Sequence, residues 1–218
     1  ESFNQFVKIS SFENRPILLW TYALNNSLGK NKEFGFHLLN LMLHIGVTLL
    51  IYFLVLKTSH FQESYHVTRS KNPGISNPTS IWIFPFITAL IFSLHPLNTD
   101  SISYISSRSS VLATFFYLFS LYLFLNLFSP ENKKIPLVKN LILIPLVAGT
   151  MYLSLASKLI ASTLPLIMGF WYFVFIFSRN NRETLWKKNW AYLLFILISI
   201  AALFLLGDSW FYNAKDQG

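Results

Sequence analysis

Long apolar runs alternate with short polar segments along this chain, and that alternation determines its predicted architecture. A helix needs about 20 predominantly apolar residues to cross a bilayer, and most of the runs approach that length. The pattern predicts an all-α, polytopic membrane protein in which residues 1–218 form one transmembrane domain. The six predicted spans lie at 34–56, 81–94, 111–128, 140–156, 159–177 and 190–206.

A shorter run at 16–28 is predicted to lie in the membrane interface. Pro16 stands just inside its start and Gly29 just past its end, which is the usual punctuation of a helix. Its 13 residues rise only about 20 Å as a helix, which is too short to cross a bilayer. We therefore expect a short helix lying along the membrane surface.

The run at 81–94 has only 14 residues and contains Pro85, so its crossing is inferred from charge rather than from length. If all six runs cross, one side of the membrane receives ten of the seventeen Lys and Arg residues but only three of the nine acids. Such an excess of basic residues marks a cytoplasmic face. If 81–94 turned back, the basic loops would fall on opposite sides. The charge pattern therefore predicts that 81–94 crosses and that 95–108 lies on the non-cytoplasmic side.

The amino-acid composition also indicates an integral membrane protein and excludes several kinds of site. The chain is 53% hydrophobic and only 12% charged, against about a quarter charged in a soluble domain. Its net charge of +8 lies in short loops, so the positive-inside pattern explains it without a nucleic-acid partner. The sequence contains no Cys, which excludes disulfides, thiolate metal sites and a cysteine nucleophile within it. Because it starts at Glu1 without a signal-peptide pattern, we interpret it as a segment of a longer membrane protein.

The stretch 95–108 (HPLNTDSISYISSR) is polar where a plain membrane hairpin needs only a turn. Cationic groups at a lipid boundary suit a phosphate, because Arg offers a planar fork, Lys a point charge and His a donor. Asp100 is suited to orient a cation or to accept a proton. The polar residues predicted to share this side of the membrane are Arg15, His37, Asn40, His44, His95, Asp100, Arg108 and Lys158.

His37, Asn40 and His44 lie on one face of the first predicted span, because their spacing is i, i+3 and i+7. Two interpretations stay open for this face: a helix–helix seam in which hydrogen bonds satisfy the groups, or a polar cavity. A metal site is less favoured, because the two His residues stand two turns apart. No cofactor is predicted, and the ligand spacing does not support a divalent metal ion.

A plainer interpretation exists for each charged residue taken singly. Charges near helix ends snorkel toward water or form exposed pairs of little energetic value. The coincidence of several such residues on the face opposite the basic loops favours a binding or catalytic site. A transporter is less supported, because the spans lack the intramembrane acids and paired broken helices of ion-coupled carriers.

Three blocks of the sequence resemble one known family. The blocks are 15–25 (RPILLWTYALN) with 34–44 (FGFHLLNLMLH), then 95–108, then Ser157-Lys158 with 163–166 (TLPL). In this order they are similar to the transmembrane and tetratricopeptide-repeat O-mannosyltransferases and their prokaryotic relatives. That family belongs to the GT-C superfamily of multi-spanning glycosyltransferases, so the resemblance implies a GT-C-like helical fold.

The resemblance also implies an activity. Such enzymes take a sugar from a polyprenyl-phosphate donor in the membrane and pass it, with inversion, to a hydroxyl of a protein or another acceptor on the non-cytoplasmic side. By resemblance, His95, Arg108 and Lys158 bind the donor phosphate. A bacterial inner membrane is favoured over the endoplasmic reticulum membrane. The residues expected to line the groove are Arg15, His37, Asn40, His44 and Tyr104.

The chain departs from the family pattern in two places. The catalytic base is expected in an acidic loop upstream of Glu1, which leaves Asp100 as the candidate base within the chain. The family corner Ser-Lys-Glu reads Ser157, Lys158 and Leu159 here. A tetratricopeptide-repeat region is expected downstream. The departures keep a second hypothesis open, a catalytically degenerate relative that serves as a structural subunit of a larger membrane complex with partner chains.

Overall fold

The structure is a computed structural model that describes residues 16–29, 33–69, 78–127, 137–175 and 197. Within these ranges the chain is helical, apart from single residues at turns. The predicted all-α class is therefore confirmed for the described residues. The chain divides into two compact units, Glu1–Ala161 and Ser162–Gly218.

Helices and short 3₁₀ turns make up the described part of the chain. The helices are α1 (Pro16–Gly29), α2 (Glu33–Arg69), α3 (Pro78–Leu94), α4 (Thr99–Ser103), α5 (Arg108–Leu127), α6 (Leu137–Ser157) and α7 (Leu164–Phe175). The 3₁₀ turns are Pro96–Asn98, Ile105–Ser107 and Leu159–Thr163. We call residues 95–107, which join α3 to α5 and contain α4, the connector.

Two helix bounds differ from the sequence-based prediction for identifiable reasons. α2 continues past Leu56 to Arg69, through a segment predicted as a polar loop, because no Pro or Gly interrupts that segment. The predicted fifth span begins as a 3₁₀ turn and becomes α7 at Leu164. Pro165 explains that start, since Pro is readily tolerated in the first turn of a helix but not in its interior.

Membrane-crossing helices are fewer in the described residues than the sequence predicted. Two stretches are long and apolar enough to cross, Phe34–Glu63 and Ile105–Leu127. A third is added if Ile81–Leu94 and Pro96–Ser103, which meet at a bend of 58°, count as one span. These helices support an integral membrane protein with two or three candidate spans in this part of the chain.

The remaining predicted spans are not confirmed. Leu141–Ser157, which is part of the 21-residue helix α6, and Leu159–Val174 are apolar stretches in the 10–17 residue class, below the length required of a candidate span. The predicted span at 190–206 lies outside the described residues, except for Leu197. The count of six spans stays a prediction, as does the single transmembrane domain over 1–218.

α2 and α5 run parallel, as contacts at both ends show. Near the two starts, Arg108 Nε donates to Asn40 Oδ1, and toward the other ends Lys57 Nζ donates to Asn126 Oδ1. Between these contacts, a Cβ atom at Gly46 would stand 2.7 Å from the Phe115 ring. The glycine therefore permits a close approach of the two helices at their middle.

α3 returns the chain from one end of this pair to the other. The His44 ring stacks on Phe92 with centroids 5.6 Å apart, and His60 meets Trp82 edge-on at 5.9 Å. The start of α3 thus lies beside the later part of α2, and its end lies beside the early part. Because α5 runs parallel to α2, the intervening helix has to make this return, as the predicted crossing of 81–94 requires.

α6 runs antiparallel to α5, and two buried serines join them. Ser120 Oγ donates to Val147 O at 3.1 Å, and Ser154 Oγ donates to Ala113 O at 2.8 Å. A buried hydroxyl without a partner is costly in an apolar environment, so these bonds favour one register of the pair. The end of α6 is consequently held beside the start of α5.

Replacing Gly46 with Ala is expected to destabilise the α2–α5 packing, because the added methyl would overlap the Phe115 ring. Gly149→Ala is the matched control, since a Cβ atom there meets nothing within 4 Å. Thermal unfolding of the full-length protein in detergent should show a loss of about 1–2 kcal/mol for Gly46→Ala. Gly149→Ala should show no loss, because Ala favours helix over Gly. Equal losses in both variants would contradict this packing.

Candidate functional site

One end of the helix bundle gathers most of the predicted site residues, and we call it the polar end. It comprises the starts of α2 and α5, the connector and the end of α6. Hydrogen bonds join these elements directly, from Arg108 of α5 to Asn40 of α2 and from Lys158 to Ser110 of α5. Residues that are far apart in the sequence therefore meet because α2 and α5 run parallel while α3 and α6 run against them.

Arg108 lies at the centre of the polar end and is fully buried, with 0% of its surface exposed. Its Nε donates to Asn40 Oδ1 at 3.0 Å, and its Nη2 donates to Phe36 O at 3.0 Å. The guanidinium carbon lies 4.7 Å from the Tyr22 ring centroid and 5.1 Å from that of Phe36. Among the described residues, Nη1 has no hydrogen-bond partner. The charge is thus stabilised by two oxygen acceptors and two aromatic rings.

Three side chains from α1 and α2 hold carbonyl groups of the connector. Tyr22 Oη donates to Ile105 O at 2.8 Å, and Asn40 Nδ2 donates to Tyr104 O at 3.2 Å. His37 Nδ1 lies 3.4 Å from Ile102 O. These bonds attach the second half of the connector to the helices that precede it.

The ionisation of Tyr22 is biased toward the neutral phenol. Burial raises the pKa of Tyr22, and the positive charge of Arg108 opposes that rise. A phenol of ordinary pKa, about 10, is already neutral at pH 7, and burial moves Tyr22 further from ionisation. It is therefore available as the donor to Ile105 O.

Lys158 occupies the corner that follows α6. It is half-buried, and its Nζ donates to Ser110 Oγ at 2.8 Å. The corner is ordered on both sides, because Lys158 N donates to Ser154 O and Ala161 N donates to Lys158 O, each at 3.1 Å. An ammonium group and a hydroxyl thus lie together at the start of α5.

His95, Asp100 and Tyr104 lie on the exposed surface of the connector. His95 Nδ1 accepts a hydrogen bond from Leu97 N at 3.3 Å and so caps the first 3₁₀ turn. Tyr104 is 60% exposed, and only its backbone carbonyl is bound to Asn40. Asp100 is not a partner of Arg108, whose polar contacts go to Asn40 and Phe36.

The polar face of α2 is divided between different surroundings. Asn40 and His44 are buried, and His44 stacks on Phe92 of α3. Asn40 fits the seam interpretation, because both ends of its amide are hydrogen-bonded. His44 packs in the seam but its Nε2 has no hydrogen-bond partner among the described residues, and His37 is half-buried beside the connector. No group of three His, Asp or Glu side chains in the described ranges lies close enough together to hold a metal ion.

Two contributors to the polar end were missed by the sequence analysis. Tyr22 is the single Tyr of a largely apolar short helix, a position where a phenol usually needs a partner. Ser110 follows Arg108 by two residues and was hidden among other serines. Arg15, also predicted for the groove, lies outside the described residues.

Comparison with known proteins finds similarity over about half of this chain. It is 33% identical over 104 residues to the human protein O-mannosyl-transferase TMTC1, covering 48% of this chain and 10% of that protein. The Drosophila melanogaster protein O-mannosyl-transferase Tmtc3 is 28% identical over 107 residues, 48% and 11% of the two chains. The human protein O-mannosyl-transferase TMTC4 is 27% identical over 123 residues, 55% and 15% of the two chains.

These relatives support the resemblance to the O-mannosyltransferases. The chain spans only about a tenth of the length of the first two of them. No protein-family profile matches it, and no solved structure does. All three relatives come from animals, so the expected preference for a bacterial inner membrane gains no support from them.

Asn40→Ala is expected to lower the free energy of unfolding by about 3 kcal/mol, because it leaves Arg108 Nε buried without an acceptor and frees Tyr104 O. Ser27→Ala is a suitable control, since the exposed Ser27 hydroxyl bonds only within its own helix, to Leu24 O. Denaturant titration of both variants measures the difference. A loss for Asn40→Ala no larger than that for Ser27→Ala would show that the buried network contributes little.

Proposed function

We propose that this chain is the membrane part of a glycosyltransferase. It transfers a sugar, with inversion, from a polyprenyl-phosphate donor to a hydroxyl of a protein acceptor on the non-cytoplasmic side. The names of the relatives, protein O-mannosyl-transferases, point to mannose as the sugar and to a protein as the acceptor.

The observation that carries this proposal is the position of Lys158. Lys158 is half-buried, and its Nζ lies 2.8 Å from Ser110 Oγ, in the first turn of the 20-residue helix α5. The turn Ile105–Ser107 leads directly into α5, and Arg108 N–H already donates to Ile105 O, so the site depends on side chains. The Lys158 ammonium group and the Ser110 hydroxyl can both donate to phosphate oxygens, and together they form a site that suits the phosphate of a lipid-linked sugar.

Such a site supplies the cation that inverting transfer requires to stabilise its phosphate leaving group. When the bond between the anomeric carbon and the phosphate oxygen breaks, the electron pair stays on the phosphate. A cation fixed beside that oxygen stabilises the added charge in the transition state. Lys158 is suited to this role because its hydrogen bond to Ser110 holds the ammonium group in place.

His95 offers a second donor to the phosphate. Its Nδ1 accepts from Leu97 N, so the neutral ring carries its proton on Nε2. Because His95 is exposed, that N–H group is accessible to a ligand at the connector. Arg108, the third residue assigned to the phosphate by resemblance, has only Nη1 without a partner in the described structure.

The acceptor hydroxyl must lose a proton as it attacks. The family resemblance places the base upstream of this chain, and Asp100 is the exposed acid of the connector. We assign the proton to an upstream carboxylate, with Asp100 as the alternative. Exposed Tyr104 and half-buried His37 lie along the same connector and are suited to line the groove that receives the donor.

A second function is favoured by one observation at the corner after α6. Leu159, 48% exposed, stands where the family carries Glu, so the corner lacks that carboxylate. A degenerate relative that serves as a structural subunit of a membrane complex would tolerate this change. Full-length protein that co-purifies with a partner chain and shows no transfer from polyprenyl-phosphate mannose would favour this function over the first.

Lys158→Ala is expected to reduce transfer from polyprenyl-phosphate mannose by about 10- to 100-fold, the cost of losing one charge-assisted bond in the transition state. Lys158→Arg should retain part of the activity because it keeps the charge. The rates are measured on full-length protein in membranes and normalised to folded protein.

Lys57→Ala provides the matched control for this experiment. Lys57 is also a half-buried lysine, but it lies in the later half of α2, away from the polar end, and is bonded to Asn126. We expect its removal to leave the transfer rate within about twofold, because the lost charge is remote from the donor. Equal losses for Lys57→Ala and Lys158→Ala would remove Lys158 from the site.

A further inference from the structure

We infer that Arg108 is a positioning residue rather than a ligand of the phosphate: with Tyr22 and Asn40 it clamps the connector and thereby sets the start of α5, where Ser110 meets Lys158. We call these three residues the clamp. The inference rests on the proposed function only for the identity of the ligand. The position of the connector is testable without any ligand.

The first reason is that a phosphate has no access to Arg108. Two of its nitrogen atoms already donate to Asn40 and Phe36, and the rings of Tyr22 and Phe36 lie against the guanidinium. Its Nη1 has no partner in the described structure, but that atom is itself closed to solvent. Arg108 is thus committed to the protein, whereas Lys158 is only half-buried.

The second reason is that both partners of Arg108 also bind the connector. Asn40 accepts from Arg108 with Oδ1 and donates to Tyr104 O with Nδ2. Tyr22 covers the guanidinium with its ring and donates to Ile105 O with its hydroxyl. Removing the guanidinium therefore loosens two adjacent connector carbonyls, because each partner loses the contact that orients it.

The third reason is the short distance along the chain from the clamp to the Lys158 site. Ile105 begins the 3₁₀ turn Ile105–Ser107, which leads directly into α5, and Ser110 lies in the first turn of α5. A displacement of Ile105 is therefore expected to displace Ser110, which lies five residues further along the same helical segment. The Ser110 hydroxyl then no longer meets the ammonium group of Lys158.

The chemistry of Arg explains why Lys cannot replace it here. The clamp uses two N–H groups in a fixed plane and a planar cation beside the rings of Tyr22 and Phe36, which Lys does not offer. A phosphate ligand, in contrast, would still be attracted by the charge of a lysine. Arg108→Lys therefore distinguishes positioning of the connector, which Lys cannot provide, from attraction of the phosphate, which Lys can provide.

The experiment measures the connector by labelling. The 218 residues contain no Cys, and Ser107 is a half-buried connector residue, so Ser107→Cys reports opening of the connector. Full-length protein in membranes, with any Cys elsewhere replaced by Ser, is treated with a water-soluble maleimide. We expect Arg108→Gln and Arg108→Lys to raise the labelling rate by about tenfold, and Tyr22→Phe by about threefold, because the clamp bonds that oppose opening are lost.

Two controls make this result specific. Gly46→Ala is expected to destabilise the fold through Phe115 and should not change labelling at Ser107, which separates the clamp from general loss of stability. Lys158→Ala should also leave labelling unchanged, while it weakens the binding of polyprenyl phosphate in a bilayer nanodisc. The Arg108 variants should weaken that binding as well, by about tenfold, through the displaced Ser110.

Three results would overturn the inference. In the first, Arg108→Gln weakens polyprenyl-phosphate binding while labelling matches the parent, which would make Arg108 a ligand. In the second, Arg108→Lys restores binding, which would show that charge alone matters. In the third, Gly46→Ala raises labelling as much as Arg108→Gln, which would assign the effect to stability. Failure of Lys158→Ala to affect binding counts instead against the proposed function.

Discussion

A guanidinium that lies entirely out of water is the constraint on which the polar end depends. A buried charge without partners is too costly to persist, and among the described residues the polar contacts of Arg108 are with Asn40 and Phe36, neither of which is an acid. Its stability rests on two oxygen acceptors and two aromatic rings, supplied by α1 and the start of α2. These elements must therefore pack against the start of α5, and the connector carbonyls are held by the same side chains.

The path of the chain brings a second cation, Lys158, to the polar end. α3 returns from the far end of α2, so that α5 starts beside the start of α2, and α6 then ends beside the start of α5. Lys158 arrives at the polar end by this route and meets Ser110. The buried Arg108 thus holds the connector, while Lys158 is only half-buried. We expect this division to keep the connector in place when Lys158 binds a phosphate.

The local sequence pattern predicted the positions of several helices. The contacts between side chains at the polar end depend on residues far apart in the sequence and were only partly predicted. Periodicity and punctuation placed the short helix at 16–28 and the third span at 111–128, close to α1 and α5 as observed. Charge parity grouped Asn40, Arg108 and Lys158 on one side. Sequence alone did not predict that Arg108 is buried or that Tyr22 is its partner, because these contacts join residues far apart in the sequence. The polar composition of 57–69 predicts a loop, but α2 extends through it because no Pro or Gly breaks the helix.

The central claim is that the polar end binds a lipid-linked phosphate. The most direct measurement is photo-crosslinking of full-length protein in membranes with a polyprenyl phosphate that carries a photoreactive group next to its phosphate, followed by mass spectrometry of the labelled peptides. We predict labelling in peptides that contain the connector and Lys158, and its loss when unmodified polyprenyl phosphate is added in excess. Labelling confined to peptides from the later half of α2, which carries Lys57, or labelling that excess lipid phosphate does not displace, would contradict the claim.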